Sequence, residues 1–210
     1  PGDIGMAGAA DRAREVAENR DDAVVPQQFS TPLNVEAHYE TTGQEILDAL
    51  GEEIGAVVAG VGSGGTLTGI ARAVRERVPD VHVVAVEPEG STFGELLDEP
   101  REEADYKTEG IGTHDPSVAE LLDPDLIDEI ATVSDSDVHA EVKRLASEAS
   151  HLVGSSSGAA SVAARRIAER IANGDLDTPA DSVVTVFPDG SERYLSKNIY
   201  GTFEEWEGKA

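Results

Sequence analysis

A glycine-rich segment near residue 60 constrains the fold of this chain most strongly. Gly60–Gly69 reads Gly-Val-Gly-Ser-Gly-Gly-Thr-Leu-Thr-Gly and directly follows the apolar run Ala56–Ala59. After it, apolar residues recur at three- and four-residue steps, which is the periodicity of an amphipathic helix. Glycine lets a backbone turn sharply and approach a ligand closely. The segment therefore predicts a strand, a tight glycine turn and a helix.

Such a turn is typical of an anion-binding site. The free N–H groups at a helix N-terminus attract an anion, and the helix dipole favours negative charge there. Ser63 and Thr66 add hydroxyl donors. We predict that the turn holds a phosphate group. The alternative is a plain strand-to-helix connection that tolerates glycines.

The segments around this turn predict an α/β fold. A strand at Ala56–Ala59, a helix from Thr66 to about Val78 and a strand at Val81–Val86 have the spacing of a βαβ unit. This unit implies a parallel sheet with a right-handed crossover. Two more strands are predicted at Leu126–Val133 and Ser182–Phe187.

The N-terminal part of the chain gives weaker patterns. It predicts an amphipathic helix at Ala9–Glu18, a short strand at Val24–Val25 and a polar loop at Gln27–Asn34. A helix over Val35–Leu50 should be broken or kinked near Thr41–Gly43.

A second turn of small residues lies at Val153–Gly158, ahead of an alanine-rich helix. Ser155, Ser156 or Ser157 could each cap that helix. In open parallel sheets, ligands bind beyond the carboxyl ends of the strands, so both turns should lie at the same edge. We therefore predict one small anionic ligand, with its phosphate on Gly62–Thr66 and a serine of the second turn reaching it. A local capping box is also predicted at Ser134–Asp137.

Two other phosphate-binding motifs are alternatives to this prediction. Gly60, Gly62 and Gly65 fit G-x-G-x-x-G, and Glu87 ends the next strand, so a nicotinamide dehydrogenase is an alternative. The mid-chain position of the loop and its hydroxyl residues speak against it. A Walker A loop is excluded because no lysine follows the glycines.

The composition excludes several classes of function. A net charge of -26, from 42 acidic and 16 basic residues, argues against a nucleic-acid partner. Dispersed acidic residues with only four lysines resemble proteins of salt-loving microbes, although an ordinary acidic protein is the alternative. The absence of cysteine excludes disulfides and thiolate metal sites, and we expect no metal. Without an apolar span or a signal peptide, we expect a cytoplasmic protein without a membrane partner.

The motifs, taken in their order, resemble the cysteine synthase and cystathionine β-synthase family of pyridoxal-phosphate enzymes, the fold type II group. The similar stretches run along nearly the whole chain: Pro1-Gly2 with Gly5-Met6 and Gly8-Ala9; Gln28–Ser30 with Pro32, Asn34, His38, Thr41–Gly43 and Glu45-Ile46; Ala59–Thr66; Val86–Pro88; Gly110–Gly112; Gly154–Ala160; and Glu192–Ser196.

The resemblance implies an open, mostly parallel twisted sheet with helices on both faces, a three-layer αβα fold. Residues 1–33 would be the remnant of a smaller N-terminal domain and residues 34–210 the large cofactor domain. The implied cofactor is pyridoxal 5'-phosphate, and the full-length form would be a homodimer. The implied site residues are Gly62, Ser63, Gly64, Gly65 and Thr66 for the phosphate, Ser156 for the pyridine nitrogen, Gln28 and Phe29 for the substrate carboxylate, and Gly110 at the entrance.

The implied reaction joins an activated serine, such as O-acetylserine, to sulfide and gives cysteine. Condensation of serine with homocysteine is the alternative, and the sequence of Tyr106–Gly110 slightly favours this activity. The family's Schiff-base lysine precedes Pro1, and none of the four lysines stands in its motif. We therefore expect an N-terminally truncated chain without a catalytic residue, or a non-catalytic domain. The truncation should expose an apolar patch or a strand edge around Ala9–Val25 and favour aggregation.

Overall fold

The computed structural model describes residues 5–207, so Pro1-Gly2 and Lys209 lie outside the described residues. Seven α-helices and four strands are assigned in this part of the chain. In order they are α1 Gly5–Glu18, α2 Pro32–Ala37, α3 Gly43–Leu50, β1 Ala56–Gly60, α4 Gly65–Arg75, β2 His82–Pro88, β3 Glu129–Val133, α5 Asp135–Glu148, α6 Ser155–Ala172, β4 Val183–Thr185 and α7 Phe203–Glu207.

The four strands form one parallel sheet in the order β3-β2-β1-β4. Ala56 at the start of β1 is paired with His82 of β2 on one side and with Val183 of β4 on the other. The predicted strands are confirmed, with two shorter than expected. The third begins at Glu129 because Pro124–Leu126 forms a 3-10 turn, whose N-cap is Asp123. The last covers only Val183–Thr185.

Helices pack on both faces of the sheet. Val57 and Ala59 of β1 point into an apolar core shared with α3 and α4, whereas Ala56 and Val58 point into a core shared with α5 and α6. This alternation follows from the two-residue period of a strand. The three-layer αβα prediction is therefore confirmed.

The helix predicted over Val35–Leu50 is broken as expected. It begins at Pro32, whose missing N–H is no loss at the first helical position. A π-helical turn, His38–Thr42, then separates α2 from α3. Because α2 begins at Pro32, the predicted polar loop ends at Thr31 rather than at Asn34.

The predicted strand at Val24–Val25 is wrong. Neither residue is paired with a strand in the described part of the chain, and the Val24 side chain is 89% exposed. An exposed apolar groove does lie between α1 and this segment, lined among others by Val16, Ala17 and Val25. The expected apolar patch is thus present, and aggregation stays a prediction.

Two local predictions at helix starts are confirmed only in part. Ser134 caps α5, with its Oγ accepting from the Asp137 N–H at 3.2 Å. The Asp137 carboxylate does not reach back as in a capping box and instead binds Arg166 at 2.7 Å. The second small-residue turn follows no regular strand; Val153 makes one isolated antiparallel bridge to Gly190.

Candidate active site

A cleft opens at the carboxyl edge of the sheet, between the end of β1, the start of α4 and the start of α6. All of the predicted site residues except Gly65 and Phe29 line it: Gln28, Gly62, Ser63, Gly64, Thr66, Gly110 and Ser156. Gln28 and Ser156, which are 128 positions apart in the chain, are thus brought together in one cleft, as expected for the carboxyl ends of parallel strands. The roles of these residues stay predictions.

The cleft is electrically neutral in a strongly acidic chain. Its lining, within the described residues, consists only of glycine, serine, threonine, glutamine, proline and aliphatic residues. The chain carries 42 acidic residues, yet no carboxylate stands on this lining. An anion in the cleft therefore meets no like charge at close range.

Two glycines of the loop are required by the geometry. Gly64 has φ +88° and forms the N-cap of α4, and a Cβ at this position would lie 2.3 Å from the Leu122 backbone nitrogen. A Cβ on Gly62 would lie 2.9 Å from the Gly110 carbonyl oxygen. The loop backbone can take this path only without side chains at these positions.

The loop offers unpaired hydrogen-bond donors. The N–H groups of Gly62, Ser63, Gly64 and Thr66 donate to no protein acceptor within residues 5–207. Four such groups at the N-terminus of a helix form a concave donor surface for an anion.

The Ser63 hydroxyl is prepared as a further donor. Its Oγ accepts from the Gly65 N–H at 3.4 Å and from Asn34 Nδ2 at 3.3 Å. With both acceptor positions used, its proton is free for a ligand. Gly65 lies behind the loop because it packs on Asn34; a Cβ there would be 2.4 Å from Asn34 Oδ1.

The three serines of the second turn have different surroundings. Gly154 is the N-cap of α6, so the alternative that one of these serines caps the helix is wrong. The Ser155 Oγ accepts from the Glu109 N–H at 3.0 Å, and the Ser157 Oγ is buried without a hydrogen-bond partner in the described part. Only Ser156 lines the cleft, and its Oγ makes no hydrogen bond to residues 5–207.

Gly110 reaches the cleft on a loop that Asp135 holds. The Asp135 carboxylate accepts from the N–H groups of Lys107 at 2.6 Å and Thr108 at 3.0 Å, and from the Thr108 hydroxyl at 2.7 Å. Lys197 forms an ion pair with Glu109. Gly110 itself has φ +84°, which favours glycine.

Replacing Asp135 by alanine should loosen this loop. We expect the Lys107 and Thr108 amides to exchange with solvent at least about tenfold faster, because each loses its acceptor. The matched control is Asp137→Ala, which removes a carboxylate from the same helical turn whose partner is the exposed Arg166. Hydrogen exchange measured by NMR tests this prediction. Unchanged exchange rates in Asp135→Ala would contradict the role of Asp135 in holding the loop.

Glu87 does not serve the dinucleotide alternative. Its side chain is only 1% exposed, and its Oε1 accepts from Arg101 Nε at 2.6 Å. A dinucleotide site needs an accessible acid at this position to bind the ribose hydroxyls. The G-x-G-x-x-G spacing therefore lacks the partner that the nicotinamide reading requires.

No lysine of the described part lines the cleft. Lys143 donates to the Gly201 carbonyl oxygen at 3.0 Å, and Lys197 is paired with Glu109. Residues 5–207 also hold no group of three or more histidine, aspartate or glutamate residues placed to bind a metal. Within the same residues, no helix is both long and apolar enough to cross a bilayer.

The residues behind the loop could not be identified as functional from sequence patterns alone. Asn34, His38 and Thr42 belong to a family-like motif, but the motif alone gives none of them a function. Their four-residue spacing on a helical segment would have placed them on one face. What they face could not be read from spacing, because the contacts cross 28 or 29 positions of the chain.

Comparison with known proteins gives one consistent result. The family model described as "Pyridoxal-phosphate dependent enzyme" matches residues 1–189. A cysteine synthase of Helicobacter pylori strain 26695 is 41% identical over 201 residues. An O-acetylserine dependent cystathionine beta-synthase of Bacillus subtilis strain 168 is 39% identical over 200 residues. Both alignments cover 95% of this chain but only 61% of the relative, so the chain spans about three fifths of their length.

Solved structures agree with this result. The O-acetylserine dependent cystathionine beta-synthase of Helicobacter pylori superposes with a TM-score of 0.80 at 42% identity, over 95% of this chain and 61% of that chain. O-acetyl serine sulfhydrylase isoform 3 of Entamoeba histolytica superposes with a TM-score of 0.79 at 28% identity, over 99% and 60%. The fold of these proteins is therefore also the fold of this chain.

Proposed function

Because this chain belongs to the family of pyridoxal-phosphate dependent enzymes, we propose that its cleft binds pyridoxal 5'-phosphate. We further propose that the whole protein is a cysteine synthase that joins O-acetylserine to sulfide. The single observation that carries the first proposal is the uncharged cleft with its four unpaired N–H groups at the start of α4.

The residues present fit the cofactor. The glycine turn, with a positive φ at Gly64 and no room for a Cβ at Gly62, leaves space for a phosphate against the backbone. The Ser63 proton is free to donate because its oxygen already accepts twice. The Ser156 hydroxyl, without a protein partner in the described part, is available for the ring nitrogen. The glycine turn would thus supply donors to the phosphate, and the second turn would supply a donor to the ring.

When bound, the cofactor supplies an electron sink for a carbanion at the substrate α-carbon. The chain's own contribution is to bind and orient. A neutral hydroxyl at Ser156 leaves a ring nitrogen unprotonated, which suits elimination and replacement better than transamination. Gln28 and Gly110 also line the cleft, and there they would contact the amino-acid substrate.

Cystathionine β-synthase activity is the second candidate. It is favoured by the relatives of 39% and 42% identity that are described as O-acetylserine dependent cystathionine beta-synthases. The two activities would share O-acetylserine and differ in the thiol. The two activities are therefore distinguished by measuring, for the whole protein, the rate at which O-acetylserine is consumed with sulfide and the rate with homocysteine.

The proposal includes the division of the chain. Residues 1–33 would belong to a smaller domain and residues 34–210 to the cofactor domain. The absence of any buried side chain among residues 8–31 supports this division, whereas Val35 is the first buried residue from position 8 onward. The whole protein would act as a homodimer.

Equilibrium dialysis of the 210-residue chain tests the binding proposal. Concentrated potassium chloride is used because the 42 acidic residues repel one another at low salt. We expect one pyridoxal phosphate per chain, competition by inorganic phosphate, and no binding of pyridoxal, which lacks the phosphate. After borohydride reduction the mass of the chain should be unchanged, because no lysine of residues 5–207 lines the cleft.

Other outcomes of the dialysis have different meanings. Binding of NAD without pyridoxal phosphate would support the dehydrogenase alternative. Absence of binding by any of these compounds would support a non-catalytic domain. A borohydride-stable adduct on a lysine would contradict the expectation that the chain holds the cofactor without a covalent bond.

A further inference from the structure

The π-helical turn places His38 directly behind the phosphate loop. Its Nε2 lies 3.0 Å from the Thr66 Oγ1, and its Nδ1 lies 3.0 Å from the Thr42 Oγ1. The imidazole therefore links a hydroxyl on the cleft lining to a hydroxyl one turn further along its own helix. Irregular π turns inside helices occur often at functional sites.

Small residues make this close approach possible. A Cβ on Gly69 would lie 2.5 Å from the Val35 carbonyl oxygen and 2.7 Å from the His38 Cβ. A Cβ on Gly43 would lie 2.5 Å from the Ala73 Cβ. The segment that carries His38 is therefore packed against α4 more closely than residues with side chains would allow.

The number of available protons limits the directions that the hydrogen bonds among Thr66, His38 and Thr42 can take. A neutral imidazole carries one N–H, and each threonine hydroxyl carries one proton. If Nδ1 holds the imidazole proton, Thr66 donates its own proton backward to Nε2 and has none for a ligand. If Nε2 holds it, Nε2–H donates to Thr66, Thr42 donates to Nδ1, and the Thr66 proton is free for the cleft.

We propose that His38, in its Nε2–H form, is a positioning residue that turns the Thr66 hydroxyl into a donor toward a phosphate in the cleft. Asn34 does the same for Ser63, to which it donates at 3.3 Å. Both residues come from one segment and lie four positions apart. The two hydroxyls of the loop are thus set as donors by one face of one helix.

The surroundings keep His38 neutral, as the proposal requires. Partial burial lowers the pKa of His38 below its ordinary value. The N-terminus of α4 adds a positive dipole end beside the ring, which also disfavours imidazolium. A neutral ring with one fixed proton can set the direction of a hydrogen bond, whereas imidazolium would donate at both nitrogens.

The inference rests on the proposed binding of pyridoxal phosphate, and its test separates the two. Nitrogen-15 NMR of histidine-labelled chain, with His38 assigned through the His38→Gln variant, reports which ring nitrogen carries the proton. With pyridoxal phosphate bound we expect the Nε2–H form. Thr42→Val removes the proton donor to Nδ1 and should give a mixture of both forms.

Affinity provides the second readout. His38→Leu should weaken pyridoxal phosphate binding about tenfold, because the Thr66 hydroxyl is no longer held as a donor toward the charged ligand. His38→Gln can still donate to Thr66 and should restore most of the affinity, which a merely space-filling role would not predict. The Nδ1–H form in the complex, or equal affinity of the leucine variant and the parent, would overturn this inference alone. A parent chain that binds no pyridoxal phosphate would overturn both proposals.

Discussion

Replacing Gly64 by alanine is expected to weaken phosphate binding in the cleft strongly. Gly64 has φ +88°, a conformation that costs a residue with a Cβ about 1–2 kcal/mol. The added Cβ would also lie 2.3 Å from the Leu122 nitrogen and 2.6 Å from the Leu122 Cα. Backbone atoms cannot rotate away as a side chain can, so the loop itself must move.

The two costs together should lower the free energy of unfolding by about 2–4 kcal/mol. A displaced loop no longer aligns its N–H groups, so the affinity for pyridoxal phosphate should fall at least about a hundredfold, the loss expected when two charge-assisted hydrogen bonds are removed. Equilibrium dialysis and urea unfolding measure the two effects.

Gly174→Ala is the matched control. Gly174 has φ +75°, yet a Cβ there would meet no atom within 4 Å. This variant therefore carries the backbone strain without the collision and lies away from the cleft. We expect a loss of about 1–2 kcal/mol of stability and unchanged affinity. Equal affinity of the Gly64→Ala variant and the parent would contradict the role given to the loop.

The strands and the main loop could be predicted because their signals are local. Uninterrupted apolar runs such as Ala56–Ala59 occur in strands buried on both faces, and the glycine turn follows immediately. The Ser134 cap was also predictable, since its partner Asp137 is three residues away. The predicted strand at Val24–Val25 failed because two β-branched residues have no structure of their own without a neighbouring strand.

The site was predictable as a set of residues but not as a set of orientations. The resemblance named Thr66 and Ser63, whereas the groups that fix their hydroxyl protons, His38 and Asn34, come from another segment. Asp135 illustrates the same limit. Its position in the first turn of α5 suggests helix capping, yet its carboxylate holds a backbone 27 and 28 positions earlier. Long-range hydrogen bonds leave no periodic trace in a sequence.

The second turn of the site depends on how α6 is anchored to α5, and Glu141 provides that anchor. Its carboxylate is 3% exposed and accepts from Arg144 at 2.7 Å, Ser161 at 2.7 Å and Arg165 at 2.8 Å. Burial alone would raise the pKa of Glu141, but the hydrogen bonds from these three residues outweigh it and lower the pKa to about 2 from 4.5.

This lowered pKa has a definite consequence for stability. Because the folded protein holds the proton less tightly than the unfolded chain, the carboxylate contributes stability that is fully present above about pH 4.5 and is lost as the pH falls toward 2. The contribution is about 2 kcal/mol when the screening of the partly exposed Arg165 is allowed for.

Glu141→Gln should therefore lower the free energy of unfolding by about 2–4 kcal/mol at neutral pH, since it leaves two guanidinium groups without their shared carboxylate. Glu148→Gln is the control: Glu148 also pairs with Arg144, at 3.3 Å, but is 66% exposed and should change stability by less than about 0.5 kcal/mol. Urea unfolding at several pH values measures both variants.

The salt dependence of stability distinguishes the contribution of the buried Glu141 network from that of the charged surface. Concentrated potassium chloride should stabilise the parent and both variants alike, because it screens the repulsion within a chain of net charge -26. The deficit of Glu141→Gln should persist there, since a carboxylate that is 3% exposed is poorly reached by ions. It should vanish only as the pH falls from 4.5 toward 2. A deficit that disappears in salt at neutral pH would mean that Glu141 acts as one more surface charge and does not anchor α6.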